Sequence, residues 1–183
     1  MGKAQGAIDD GFRAFIEAQR MFFVATAPLD GAGRVNLSPK GLDSFRILDS
    51  RTVVYLDYVG SGAETIAHLR ENGRIAIMFC AFQGPPKIVR LHGRGDVLEP
   101  QDDGYAALRL LFPPFPSGRA IVRVAVDRVS DSCGFGVPRY AFEGERPQLP
   151  EWAERKGEAG LTDYQRRKNR VSIDGLPALR WTE

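Results

Sequence analysis

RTVVYLDYVGSGAETIAHLRENGRIAIMFCAF, residues 51–82, decides the fold. Residues 52–57 are β-branched and aromatic, which suits a half-buried pleated strand. Gly60-Ser61-Gly62 supplies the backbone freedom for a sharp turn. Ser61 precedes Glu64 by three residues, the spacing of a helix capping box. Ile66 and Leu69 give the helix a buried side, and Asn72-Gly73 is a stop signal. Residues 75–82 are again a strand. A helix start opened by glycines presents free N–H groups that can hold a phosphate. A capped helix between two strands is also ordinary structure, and a Glu64 carboxylate at the helix start would oppose an anion.

Upstream, Ile8, Phe12, Phe15, Ile16 and Gln19 follow helical spacing, so residues 8–20 are expected to form an amphipathic helix. MFFVATA (21–27) is a strand, and Pro28 with Asp30-Gly31 turns the chain. VNLS (35–38) is a short strand closed by Pro39-Lys40-Gly41, and 45–48 is another. Downstream, residues 88–98 alternate, with Ile88, Arg90, His92 and Arg94 opposite Val89 and Leu91. Gly93 and Gly95 mark a bulge or bend there. Residues 102–112 read as a helix stopped by Pro113-Pro114, and 120–129 as the last clear strand. Beyond 131 come a glycine-rich loop (132–138), short helices at 151–157 and 161–168 around Gly160, and an irregular tail. Leu176, Leu179 and Trp181 in that tail call for cover by the barrel or by a partner.

The fold class expected is mainly β. It is an antiparallel split barrel of about six strands joined by short turns, with flanking helices. One domain, 1–183, is expected: a barrel core over 1–130 and a C-terminal loop, short helices and tail over 131–183.

A net charge of +2, with basic residues dispersed apart from Arg166-Arg167-Lys168, provides no stripe for nucleic acid. No apolar run approaches the roughly 20 residues of a membrane span. The two cysteines, Cys80 and Cys133, form no CxxC, and two histidines make a metal site unexpected. With no export signal at the start, a reduced, cytoplasmic setting is expected.

Few residues announce chemistry. Lys40, held between proline and glycine, could aim its ammonium at a phosphate or simply lie in solvent. Arg90 could bind an anion bidentately from a groove, or line an exposed face. Asp57 could accept from a ring N–H, or cap the turn. His68, His92 and Cys133 have no partners at catalytic spacing, and no GxSxG, Walker loop or GxGxxG occurs.

The ordered set VNLSPKG (35–41), VVYLD (53–57), GSGAETIAHL (60–69), NGRIAIMFCAF (72–82) and IVRLHGRG (88–95) resembles the pyridoxamine 5'-phosphate oxidase-like, FMN-binding split-barrel family. SCGFGVP (132–138) and KNRVSIDGLP (168–177) look like segments of one branch of it. The resemblance implies a homodimer with FMN in grooves between subunits, acting on a small-molecule substrate. It assigns the flavin phosphate to Ser38 and Lys40 from the second strand, joined by Asn36, and to Ser61, Gly62 and Thr65 from the turn and helix. It sets Leu56 and Asp57 near the flavin ring and Arg90 in a strand lining the groove. The family's oxidase has a basic pair where Gly62-Ala63-Glu64 stands here, so the phosphate would depend on backbone N–H groups, Ser61, Thr65 and Lys40. The expected activity is flavin-dependent oxidoreduction. A flavin or haem carrier, with His92 or His68 as haem ligand, and a deazaflavin (F420) reductase remain alternatives on the same fold.

Overall fold

A computed structural model describes residues 4–181. Within them eight strands form one antiparallel sheet: β1 (Ala4–Gln5), β2 (Phe22–Thr26), β3 (Asn36–Lys40), β4 (Phe45–Ile47), β5 (Thr52–Tyr58), β6 (Arg74–Cys80), β7 (Ile88–Leu98) and β8 (Gly118–Ser132). The order is β3-β2-β6-β7-β8-β5-β4, with β1 paired to β8. The one strand with no counterpart in the sequence reading is the shortest, β1. Helices are α1 (Asp10–Glu17), α2 (Glu64–Asn72), α3 (Tyr105–Arg109) and α4 (Gln148–Lys168).

The sheet curls because alternate residues must bury one face. Phe22, Val24, Val53, Tyr55, Ile77, Phe79, Val89, Leu91, Val122 and Val124 share the interior. Aromatic rings bring the sheet's ends together: Phe22 on β2 meets Phe45 on β4 at 5.1 Å and Tyr55 on β5 at 5.6 Å. Yet no ladder joins β3 to β4, and this gap is the split of the barrel. Val54, Leu56 and Ile121 point the other way, into a second cluster with Tyr105 and Phe112.

The expected irregularity falls between His92 and Gly93, but the bulge itself is on the neighbouring strand: His92 pairs with Arg128 and Gly93 with Val126, so Asp127 of β8 is the extra residue. A Cβ at Gly93 would stand 2.1 Å from the Ala125 carbonyl oxygen, so only glycine allows the strands this close. Gly73, with φ 70, ends α2 as its sequence signalled.

Four expectations change. β3 runs through Pro39 to Lys40, because an edge strand tolerates a proline whose missing N–H faces no neighbour. The capping box at Ser61 and Glu64 does not form: Ala63 is the N-cap of α2 and makes no side-chain cap. Instead Glu64 Oε1 accepts from Ile173 N of the tail. α3 is shorter than 102–112, since Gly104 opens it in a left-handed conformation and Leu111 and Phe112 turn tightly onto Leu108 and Arg109. α4 is broken at Gly157, with φ 64, whereas Gly160 stays helical.

The tail folds over its own barrel. Ala178 and Leu179 are buried against Ala63, Ile66 and Ala67 of the α2 region and Ala120 of β8. Burying Leu179 alone contributes about 1.5–3 kcal/mol. Glu99, 3% exposed, fastens the tail by accepting from Arg70 of α2 and from the side chain and backbone N–H of Arg180.

Candidate functional site

Beside the split, β3 carries Asn36, Ser38 and Lys40 on one face, opposite Thr26, Val24 and Phe22 of β2. Residues paired across antiparallel strands share a face, so these three look inward with the core, while Val35 and Leu37 look out, 74% and 65% exposed.

Each inward residue meets a different partner. Asn36 Nδ2 donates to Thr65 Oγ1 of α2 at 2.9 Å and to Thr26 Oγ1 at 3.3 Å. Thr26 Oγ1 lies 3.0 Å from Nδ1 of the fully buried His68. Burial lowers the pKa of that imidazole and favours its neutral form. Ser38 Oγ is buried and meets no partner among the described residues.

Lys40 Nζ stands 2.7 Å from Asp57 Oδ1, and Arg119 Nε 2.8 Å from Asp57 Oδ2. Asp57 is fully buried. Burial pushes its carboxyl up, but Arg119 and then Lys40 outweigh burial and bring it down to about 2. Two cations share one carboxylate, leaving net positive charge beside the split. Arg119 reaches Asp57 through a bulge: Asp57 pairs with Ala120 and Tyr58 with Gly118, so Arg119 is the extra residue.

Arg119 Nη1 also donates to Gly60 O at 3.4 Å, as does Asn169 Nδ2 at 2.9 Å. Gly60 leads into exposed Ser61 and half-buried Gly62 at the start of α2. The Glu64 carboxylate bends back over Gly62, where a Cβ would lie 2.3 Å from its Oε2.

Of the residues singled out in the sequence, Asn36, Ser38, Lys40, Asp57 and Thr65 converge, with Ser61 and Gly62 in the adjoining loop. Leu56 does not join them: its side chain is in the cluster under α3, facing away from Asp57. Arg90 does not either. It pairs with Met78, which pairs with Phe23, which pairs with Pro39, so it lies on the outer face. There it donates to Ser132 Oγ at 3.0 Å.

Arg119 and Asn169 escaped the sequence reading. Arg119 opens an apolar strand, a weak signal of a buried charge. Asn169 follows the basic run 166–168, which reads as a solvated helix end. On the outer side of β2 and β3, Lys40 borders a groove of about 1030 Å³ walled by Met21, Phe23, Pro39, Phe82 and Phe142.

The sequence pattern of the pyridoxamine 5'-phosphate oxidase family matches residues 8–133. A pyridoxamine 5'-phosphate oxidase family protein of Aspergillus flavus, ustO, is 40% identical over 94% of this chain and 76% of its own. The crystal structure of HupZ from Group A Streptococcus shares the fold with a TM-score of 0.53 at 20% identity, over 74% of this chain and 99% of that one. A Clostridium acetobutylicum protein related to general stress protein 26 shares it with a TM-score of 0.52 at 13% identity, over 69% and 91%. A sequence match spanning the barrel, joined to the same fold, leads to one conclusion: the chain belongs to the pyridoxamine 5'-phosphate oxidase family.

Proposed function

We propose that the chain binds FMN beside the split of the barrel and serves as a flavin-dependent oxidoreductase of small molecules. In this reading Ser38, Lys40, Ser61, Gly62 and Thr65 hold the phosphate, and Asn36 orients Thr65. The observation that carries it is Ser38 Oγ, a buried hydroxyl without a protein partner, set between Asn36 and Lys40. Such a group costs stability unless something satisfies it. A phosphate oxygen would, and the surplus cation of the Lys40–Asp57–Arg119 cluster matches its charge.

When bound, FMN would supply the hydride or electron chemistry. The protein's part is to bind and orient. Exposed Val35 and Leu37 on the edge strand suit contact with a second copy of the chain, which would set the site between subunits.

Absorbance of the purified protein and titration with FMN and riboflavin test this. Flavin bands, and FMN bound more tightly than riboflavin, are expected. Replacing Lys40 and Ser61 together by alanine should weaken FMN and spare riboflavin. An unchanged FMN affinity would refute the phosphate assignment, and a Soret band in place of flavin bands would point to a haem carrier.

A further inference from the structure

The segment KNRVSIDGLP, residues 168–177, makes contacts that the proposed site does not yet use. Asn169 is fully buried at the end of α4. Backbone bonds fix it on both sides, Asn169 N to Gln165 O at 2.7 Å and Leu179 N to Asn169 O at 3.0 Å. Its side chain makes one bond, from Nδ2 to Gly60 O, while Oδ1 meets no donor among the described residues. A buried carboxamide kept for a single bond, at the cost of an unsatisfied oxygen, marks that bond as the reason for the residue.

The bond has a directional consequence. No cis peptide occurs among the described residues, and in a trans peptide the C=O and the following N–H point to opposite sides. Asn169 and Arg119, both buried, draw the Gly60 carbonyl toward themselves. The Ser61 N–H therefore points away from them. No acceptor for it lies among the described residues.

The same segment steadies the surroundings. Ile173 N–H donates to the Glu64 carboxylate, and Asp174 accepts from the backbone N–H of Arg34 at 2.7 Å and from its guanidinium. The turn before α2 and the approach to β3 are thus held by one stretch of chain.

We infer that Asn169 is a positioning residue for the nucleotide phosphate, which with Arg119 locks the Gly60–Ser61 peptide so that the Ser61 N–H is presented to the anion. This rests on the FMN reading above. The residue touches no ligand; it acts through the peptide plane.

Wild type, Asn169→Ala and the isosteric Asn169→Asp would each be titrated with FMN and with riboflavin, which has no phosphate. FMN affinity is expected to fall about tenfold in both variants, the scale of one hydrogen bond to a charged group, with riboflavin affinity unchanged. Equal loss for the two ligands would make Asn169 a structural residue only and overturn the inference, as would unchanged FMN affinity. If neither variant folds, ¹⁵N NMR of the wild type decides: the Ser61 amide should shift on adding FMN and much less on adding riboflavin. A Ser61 amide unmoved by bound FMN removes the inference and leaves the FMN reading standing. A wild type that binds no FMN removes that reading, and the inference with it.

Discussion

Lys40 on β3 reaches across the open side of the barrel to Asp57 on β5, Nζ to Oδ1 at 2.7 Å, where no backbone ladder joins the two strands. The pair replaces a missing row of strand hydrogen bonds, and Arg119 backs it from β8. Asp57→Asn leaves two cations facing a neutral amide in a buried place. Urea denaturation should show a loss of about 3–5 kcal/mol. Lys40→Met leaves Asp57 its bond to Arg119 and should cost less.

The same carboxylate sets an acid limit. Its folded pKa, about 2, lies below the ordinary 3.8. A group depressed in this way stabilises the fold fully above the unfolded value and loses that contribution as pH falls through the folded one. The difference corresponds to about 2 kcal/mol. The melting temperature should drop between about pH 5 and pH 2, and Asp57→Asn should flatten that part of the profile.

Ser38→Ala separates binding from stability. Removing an unpartnered buried hydroxyl should leave the ligand-free protein as stable or more so. FMN affinity should fall by about tenfold, as for one lost bond to a charged group. Equal FMN affinity in variant and wild type would mean that Ser38 faces no phosphate.

Glu64→Gln should tighten FMN binding. Its carboxylate bends over Gly62 at the start of α2, where a negative charge repels a phosphate. Neutralising it should gain about two- to fivefold, the size of a charge effect at a helix end. Calorimetric titration would register the change, and weaker binding would mean that Glu64 matters more for holding Ile173.

Leu37→Asp tests the edge strand. Leu37 is 65% exposed on the outer face of β3. If that face meets a second copy, a buried carboxylate there should shift sedimentation toward monomer and lower FMN affinity together. A variant that sediments like wild type would move the subunit contact elsewhere.

Much of this site was legible because strands have a fixed period of two. Once VNLS is a strand, Asn36 and Ser38 share a face whatever the rest of the chain does; Lys40 joins them only because the strand runs on through Pro39. The order of strands around GSGAETIAHL likewise carried the barrel. Leu56 and Arg90 lie apart from this cluster, because strand membership alone does not say which face looks toward the split; that depends on pairing with distant strands. Arg119 was invisible because its role arises from a bulge, one extra residue whose position follows from the register of β5 against β8. Asn169 was invisible because it meets Gly60 across 109 positions of sequence. The same distance undid the Ser61–Glu64 capping box, since Glu64 found a donor in Ile173 instead.

The lateness of residues 169–181 has a consequence for synthesis. Ala63, Ile66 and Ala67 emerge from the ribosome long before Ala178 and Leu179, which cover them. Until residues 178–180 follow, the nascent barrel carries a bare apolar patch and a Glu99 without its Arg180 partner. Only a polypeptide translated through residues 169–181 can seal that surface, so one stopped before them should be the one that chaperones retain.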